Sequence, residues 1–318
     1  MTDPIKMLGD DRPRLYHAPS SYYSMIARLA LNEGGVAYEP VFVDIHVRMS
    51  QQLPDYVRLN PNMTVPTLVL PGRILDQSRN IAEFALDHVH DFGLGQSKVM
   101  NVIDFKSAER DAGGKPISTF PHPALGADDV LNAETKHWLD LHYSYPIEEL
   151  TFGGFLSRNP LARVMIPKQL AASHRRLLAR ALAHPDLAEV YKARAAIFAE
   201  RARIFDPEKA LHLAEKRRAE AIDFMDQLER NLADGRAVMV PPTYGLADVV
   251  WTVFLARMEF TGLGAEIVKR PALARYWRAM QMRPSFAAAD IWTRLQVLRL
   301  IGGILGIARH QERGVATG

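Results

Sequence analysis

The chain has 318 residues, no cysteine and a formal net charge of +3. That length suits two domains better than one, and a composition 48% hydrophobic and 24% charged belongs to a globular enzyme, not to a disordered or fibrous chain. The missing cysteine excludes disulfide scaffolds, thiolate zinc sites, CxxC redox chemistry and a protein-borne thiol nucleophile. The small basic excess is interleaved with acidic residues, as on solvated helix faces, and does not point to nucleic acid.

The start, Met1 to Lys6, does not read as a secretory leader. Leu15 and Tyr16 open a short apolar run. Pro19-Ser20-Ser21 then precedes a helical pattern through Met25, Ile26, Leu29 and Ala30, which Gly34-Gly35 stops. Tyr38 to Val43 reads as a strand, and Pro40 within it predicts an edge position or a strand start. A polar helical stretch from Ser50 to Leu59 leads into Asn60-Pro61-Asn62-Met63-Thr64-Val65-Pro66. Thr67 to Leu70, a Pro71-Gly72 turn and Arg73 to Leu75 predict a tight hairpin. Asp76 introduces another helix with Ile81, Phe84, Ala85 and His88 on one face. The order β-α-β-α-β-β-α fits one small α/β domain.

Beyond Phe92 the pattern is helical. No glycine occurs between Phe155 and Asp234, and Pro185 and Pro207 are placed to start helical segments. Gly245-Leu246-Ala247-Asp248 opens an apolar helix from Val249 to Phe260. Residues 93–128 read as an irregular connection. In the tail, 291–309, Ile291, Leu295, Leu298, Ile301 and Leu305 share one helical face, expected to pack on the protein or cover a substrate site. The apolar run Leu300 to Ala308, bracketed by Arg299 and Arg309, is too short for the ~20 residues of a membrane span.

Three motifs carry a resemblance: Asn60-Pro61-x-x-x-Val65-Pro66-x-Leu68, Asp76-Gln77-Ser78-x-x-Ile81, and Gly245-Leu246-Ala247-Asp248. In this order and spacing the chain resembles the glutathione S-transferase superfamily. It is similar to bacterial members of the hydroquinone dehalogenase and β-etherase type, with an enlarged second domain. The resemblance implies an α+β fold, with a thioredoxin-like glutathione-binding domain over 1–92 and an all-helical substrate domain over 93–318. The surplus, around 145–215 and in the tail, is expected over the substrate side. It further implies a cytoplasmic homodimer that uses glutathione as co-substrate and takes a small hydrophobic or aromatic electrophile. A non-catalytic binding or scaffold protein of the same fold is the alternative.

The site residues follow from the same resemblance. Pro66 is expected to be cis, with Val65 pairing its backbone to the cysteinyl part of glutathione as an added strand does. Ser78, at a helix start that favours anions, and Gln77 beside it are expected at the γ-glutamyl end. Met63 stands where the family has glycine, and Gly245 replaces a capping hydroxyl. A hydroxyl at the helix start after Pro19 must stabilise the glutathione thiolate. Ser24 is the first candidate, followed by Ser21 and Tyr23. Tyr23 falls where thiol-dependent relatives keep a cysteine, so chemistry requiring a protein thiol is disabled, while direct attack by the thiolate on an activated carbon stays open. Aromatic density in 137–155 makes Trp138, His142 and Tyr145 the substrate-contact candidates. His137 and His142, five residues apart, do not share a helix face, and no metal site is expected.

Overall fold

The computed structural model describes residues 12–90, 132–296 and Arg299. The first part runs β1 (Arg14–His17), α1 (Tyr22–Glu33), β2 (Glu39–Phe42), a 3-10 turn (Ser50–Gln52), α2 (Pro54–Leu59), β3 (Thr67–Leu70), β4 (Arg73–Leu75) and α3 (Ser78–His90). The sheet order is β2-β1-β3-β4; β1 pairs parallel with β2 and antiparallel with β3, which pairs antiparallel with β4. Pro40 accordingly lies on the edge strand, where the missing N–H costs no ladder bond. The helix expected over 50–59 is broken at Leu53, which is extended at φ −70° and ψ 145°. Pro54 is the cause: its ring disfavours helical backbone at the preceding residue.

Gly34 ends α1, and Gly35 follows at φ +63°. Gly34 is fixed by packing: a Cβ there would sit 2.1 Å from the Ala85 carbonyl oxygen. The backbones of α1 and α3 therefore meet directly over the sheet.

The helical part comprises α4 (Ala133–Ser144), α5 (Ile147–Arg158), α6 (Pro160–Ala183), α7 (Ala188–Ile204), α8 (Pro207–Asn231), α9 (Leu246–Phe260), α10 (Gly264–Val268), α11 (Pro271–Gln281) and α12 (Pro284–Ala288). Pro207 begins α8 behind the Asp206 cap, and Pro185 begins a 3-10 turn, as their positions predict. Pro167 lies inside α6. The nearly all-apolar α9 is buried from Leu246 to Met258 and is the spine of the main core. Asp248 Oδ2 accepts the Gly245 N–H at 3.0 Å and Oδ1 accepts the Met239 N–H at 2.8 Å. The carboxylate thus caps the helix without the usual hydroxyl.

The α6–α7 hairpin reaches the cleft beside Tyr23 only at the end of α7, through Arg201 and Ile204. It packs on the 3-10 turn and α2: Leu177, Ala181, Tyr191, Ala195 and Phe198 form a second core with Met49, Val57 and Met63. Gln169 donates to the His46 carbonyl, Arg180 to the Gln52 carbonyl, and Tyr191 Oη to the same Gln52 carbonyl at 3.0 Å. The Arg58–Asp186 ion pair closes the contact at 3.0 Å. Of the tail, Ile291 and Trp292 are buried and Leu295 is exposed; Leu298, Ile301, Leu305 and the connection 93–128 lie outside the described residues. Among the described residues no helix is long and apolar enough to cross a membrane.

Candidate active site

One end of the sheet gathers the residues singled out by their motifs. In β1–β3, Tyr16 faces Thr67, so the end of β1 that leads into the turn before α1 lies beside the start of β3, which the Val65–Pro66 loop precedes. In β3–β4, Leu68 faces Leu75, the last residue of β4 and three residues before Ser78 at the start of α3. The turn before α1, the Val65–Pro66 loop and the start of α3 therefore stand side by side in that order. The Val65–Pro66 peptide is cis, as expected. Asn60 organises the loop, its Nδ2 donating to Thr67 Oγ1 at 2.8 Å and to the Thr64 carbonyl at 3.1 Å. Asn62 Nδ2 donates to Asp76 Oδ2 at 2.8 Å and ties the loop to the start of α3. There Gln77 is exposed, while Ser78 is buried with Oγ 3.5 Å from Tyr143 Oη of α4.

The three candidate hydroxyls are separated by their surroundings. Ser24 has no exposed surface, and its Oγ accepts the Ala18 N–H at 3.4 Å, facing back into the turn. Ser21 is the N-cap of α1: its Oγ accepts the Ser24 N–H at 3.3 Å, it is partly exposed, and its own O–H remains to be donated. Tyr23 lines a cleft of about 230 Å³ whose other walls are Pro146, Ile147, Glu148, Glu149, Arg201, Ile204 and Phe205. Burial, and then Glu148, push its phenol above the ordinary range. Of the three, Ser24 is thus the fully buried hydroxyl, Ser21 the partly exposed helix cap and Tyr23 the one on the cleft wall.

The substrate-contact candidates are core residues instead. Trp138 packs edge-on against Trp251 at 5.7 Å, and Tyr145 Oη donates to the Arg217 carbonyl at 2.6 Å beneath Phe254. His142 is buried against Trp251, and Tyr22 Oη lies in hydrogen-bond contact with its Nε2 at 2.6 Å. Burial alone pulls the imidazole down to about 3, so it is neutral. The helix break at Pro146 turns Ile147 to Glu149 toward the cleft, while the rings before it fill the core.

Sequence reasoning missed two arrangements. Ser20 Oγ lies 2.7 Å from His46 Nε2, a pair joined across 26 positions with no shared motif. Arg257 of α9 is buried beneath the same turn, and its Nη2 donates to the Ser20 carbonyl at 3.3 Å. The readable signal for Arg257 was one cation inside an otherwise apolar helix.

Comparison with known proteins agrees with this geometry. Residues 15–91 match the glutathione S-transferase N-terminal domain family. The tetrachloro-p-hydroquinone reductive dehalogenase of Sphingobium chlorophenolicum is 29% identical over 282 residues, covering 87% of this chain and 95% of that protein. Glutathione S-transferase TCHQD of Arabidopsis thaliana is 25% identical over 277 residues, 86% of this chain and 87% of that protein. Among solved structures, the β-etherase LigF from Sphingobium sp. strain SYK-6 shares the fold, with a TM-score of 0.55 at 18% identity over 87% of this chain and 98% of that one.

Proposed function

We propose, for a chain that belongs to the glutathione S-transferase superfamily, that it binds glutathione across one end of its sheet and directs the thiolate at a small aromatic or hydrophobic electrophile. The observation that carries this reading is the row Ser78, Val65, α1 N-terminus set by the two strand registers. An extended tripeptide laid along it places its γ-glutamyl carboxylate at the start of α3, where Ser78 and Gln77 stand. Its cysteinyl backbone lies beside Val65, and its sulfur reaches the turn that begins α1.

Ser21 is the hydroxyl assigned to the sulfur. Its oxygen is occupied as an acceptor by the Ser24 N–H, so its proton is directed outward as a donor. The helix start adds partial positive charge, which favours thiolate over thiol. Tyr23 then stands at the cleft wall with Ile147 and Phe205, as a contact for the second substrate. In the chemical step the sulfur's electron pair forms a C–S bond to the electrophilic carbon. The bond to halide or phenolate breaks and the leaving group departs with its electrons; with an activated alkene, the carbanion formed takes a proton from solvent. The reactive sulfur is glutathione's, since the chain has no thiol of its own. In this reading residues 1–92 serve glutathione and 93–318 serve mainly the electrophile, with α6 and α7 bracing the glutathione side.

The test is retention on immobilised glutathione followed by thiolate ultraviolet absorbance of the complex. Binding with a thiolate signal at neutral pH, reduced in Ser21→Ala, is expected. Failure to bind glutathione overturns the reading, and binding without a thiolate signal favours a non-catalytic binding protein.

A further inference from the structure

Arg257 is a buried cation with no counter-ion among the described residues. It projects from the apolar α9, is 3% exposed, and its Nε is sealed with no hydrogen-bond partner. Its guanidinium lies 5.4 Å from the ring centre of Tyr22 and 4.6 Å from that of Phe260. The ionisable group acting on it is Tyr22, which burial keeps neutral by raising its pKa well above the ordinary range. Burial draws the guanidinium down only to about 10, so it keeps its charge at neutral pH.

A lone buried charge is expensive, and a well-packed apolar side chain in its place would avoid that cost. The charge is placed where an anion is due. Its Nη2 holds the carbonyl of Ser20, the residue before the N-cap Ser21.

Other charges around this turn are matched or absent. Arg28 reaches the turn at the Ala18 and Pro19 carbonyls but has Asp290 beside it. On α4, His142 is neutral and Tyr143 is held protonated by burial. Across the cleft, Glu148 and Arg201 pair with each other. On the loop after β2, His46 faces the Ser20 hydroxyl, and Asp44 is occupied by the backbone N–H groups of His46, Val47 and Arg48.

Resting on the glutathione-binding reading above, we propose that Arg257 is a positioning residue for the thiolate. Fixed against the Ser20 carbonyl, its charge favours the thiolate over the thiol, and so lowers the thiol pKa of bound glutathione. The ligand's sulfur completes an ion pair of which the protein holds one half.

The test is the thiol pKa of bound glutathione, read from thiolate absorbance against pH in the wild type, Arg257→Met and Arg257→Lys. R257M is expected to raise that pKa by about one unit, the lower end of what a nearby opposite charge contributes. R257K is expected to recover most of the shift because it keeps the charge. A purely structural role moves affinity or stability but not the pKa. An unchanged pKa in a folded, glutathione-binding R257M overturns the inference alone; absence of glutathione binding by the wild type overturns the functional reading as well. Should R257M not fold, wild-type affinities for glutathione and S-methylglutathione decide. Glutathione is expected to bind more tightly by a factor that grows as pH rises from the bound thiol's pKa to that of free glutathione, and equal affinities at every pH overturn the inference.

Discussion

Arg28 meets Asp290 across 262 positions of sequence: its Nη2 donates to the Asp290 carbonyl at 3.0 Å and to the Pro19 carbonyl at 3.1 Å. Its Nε donates to the Ala289 carbonyl at 2.7 Å. One buried side chain therefore fastens the turn before α1 to the segment after α12.

Replacing Arg28 leaves several buried carbonyls without donors, and charged hydrogen bonds are the stronger kind. Arg28→Met is expected to lose at least about 3 kcal/mol of unfolding free energy in urea. Arg28→Lys is expected to lose a smaller but clear amount, because an ammonium cannot span the fork of carbonyls. A loss below about 1 kcal/mol in R28M would show that the turn and the C-terminal segment are held by other contacts.

The proposed reading assigns the sulfur to the partly exposed Ser21 and not to the buried Ser24. Ser21→Ala is expected to lower kcat by about a hundredfold, the scale of one lost oxyanion donor, with glutathione affinity changed only a few-fold. Ser24→Ala, which loses an internal bond to the Ala18 N–H, is expected to keep turnover within a few-fold and to cost about 1 kcal/mol of stability. Steady-state kinetics with an activated aryl halide separate the two. Full activity in S21A would move the role to Tyr23.

Local chemistry explains which parts were legible beforehand. The order of strands and helices, the edge position of Pro40 and the end of α1 at Gly34 depend on residues within a few positions of one another. The break at Leu53 was also local, but the effect of Pro54 on its neighbour was outweighed by the helical composition around it. Ser24 could not be placed, because burial in the first turn of α1 depends on how that helix meets β1. The α6–α7 hairpin could not be placed either. Leu177, Ala181, Tyr191, Ala195 and Phe198 show a helical apolar face, but its partners Met49, Val57 and Met63 lie more than a hundred positions away.

Two buried groups give the stability curve opposing slopes in acid. His142 is held down at about 3, so the unfolded chain takes a proton near 6.5 that the folded chain refuses. Its contribution therefore falls as pH drops from about 6.5 toward 3. Asp248 is pushed up to about 6 by burial, despite three hydrogen-bond donors, so the folded chain takes its proton first. Its contribution rises as pH drops from about 6 to 4. Urea unfolding at pH 7.5 and 4.5 is expected to show a shallower acid loss in His142→Gln than in the wild type, and a steeper one in Asp248→Asn. Parallel losses in all three would mean that neither group titrates differently on folding.

Met63 stands in the left-handed region at φ +50°, a backbone that favours glycine, yet it is only 1% exposed. Glycine there would relieve about 1 kcal/mol of backbone strain. It would also empty a buried side-chain site shared with Tyr191 of α7, and such truncations cost about 2–5 kcal/mol. The second effect is larger, so Met63→Gly is expected to destabilise by about 1–4 kcal/mol although it restores the family's residue. The methionine is the counterpart of the hairpin that covers it. Tyr191→Ala removes the other side of the contact, together with the hydroxyl that holds the Gln52 carbonyl, and is expected to raise KM for glutathione more than it lowers kcat. In a double-mutant cycle the two changes are expected to cost less together than their sum, by at least about 0.5 kcal/mol. Strict additivity in urea unfolding would mean that Met63 and α7 stabilise the fold independently, leaving the methionine's strained backbone without its compensation.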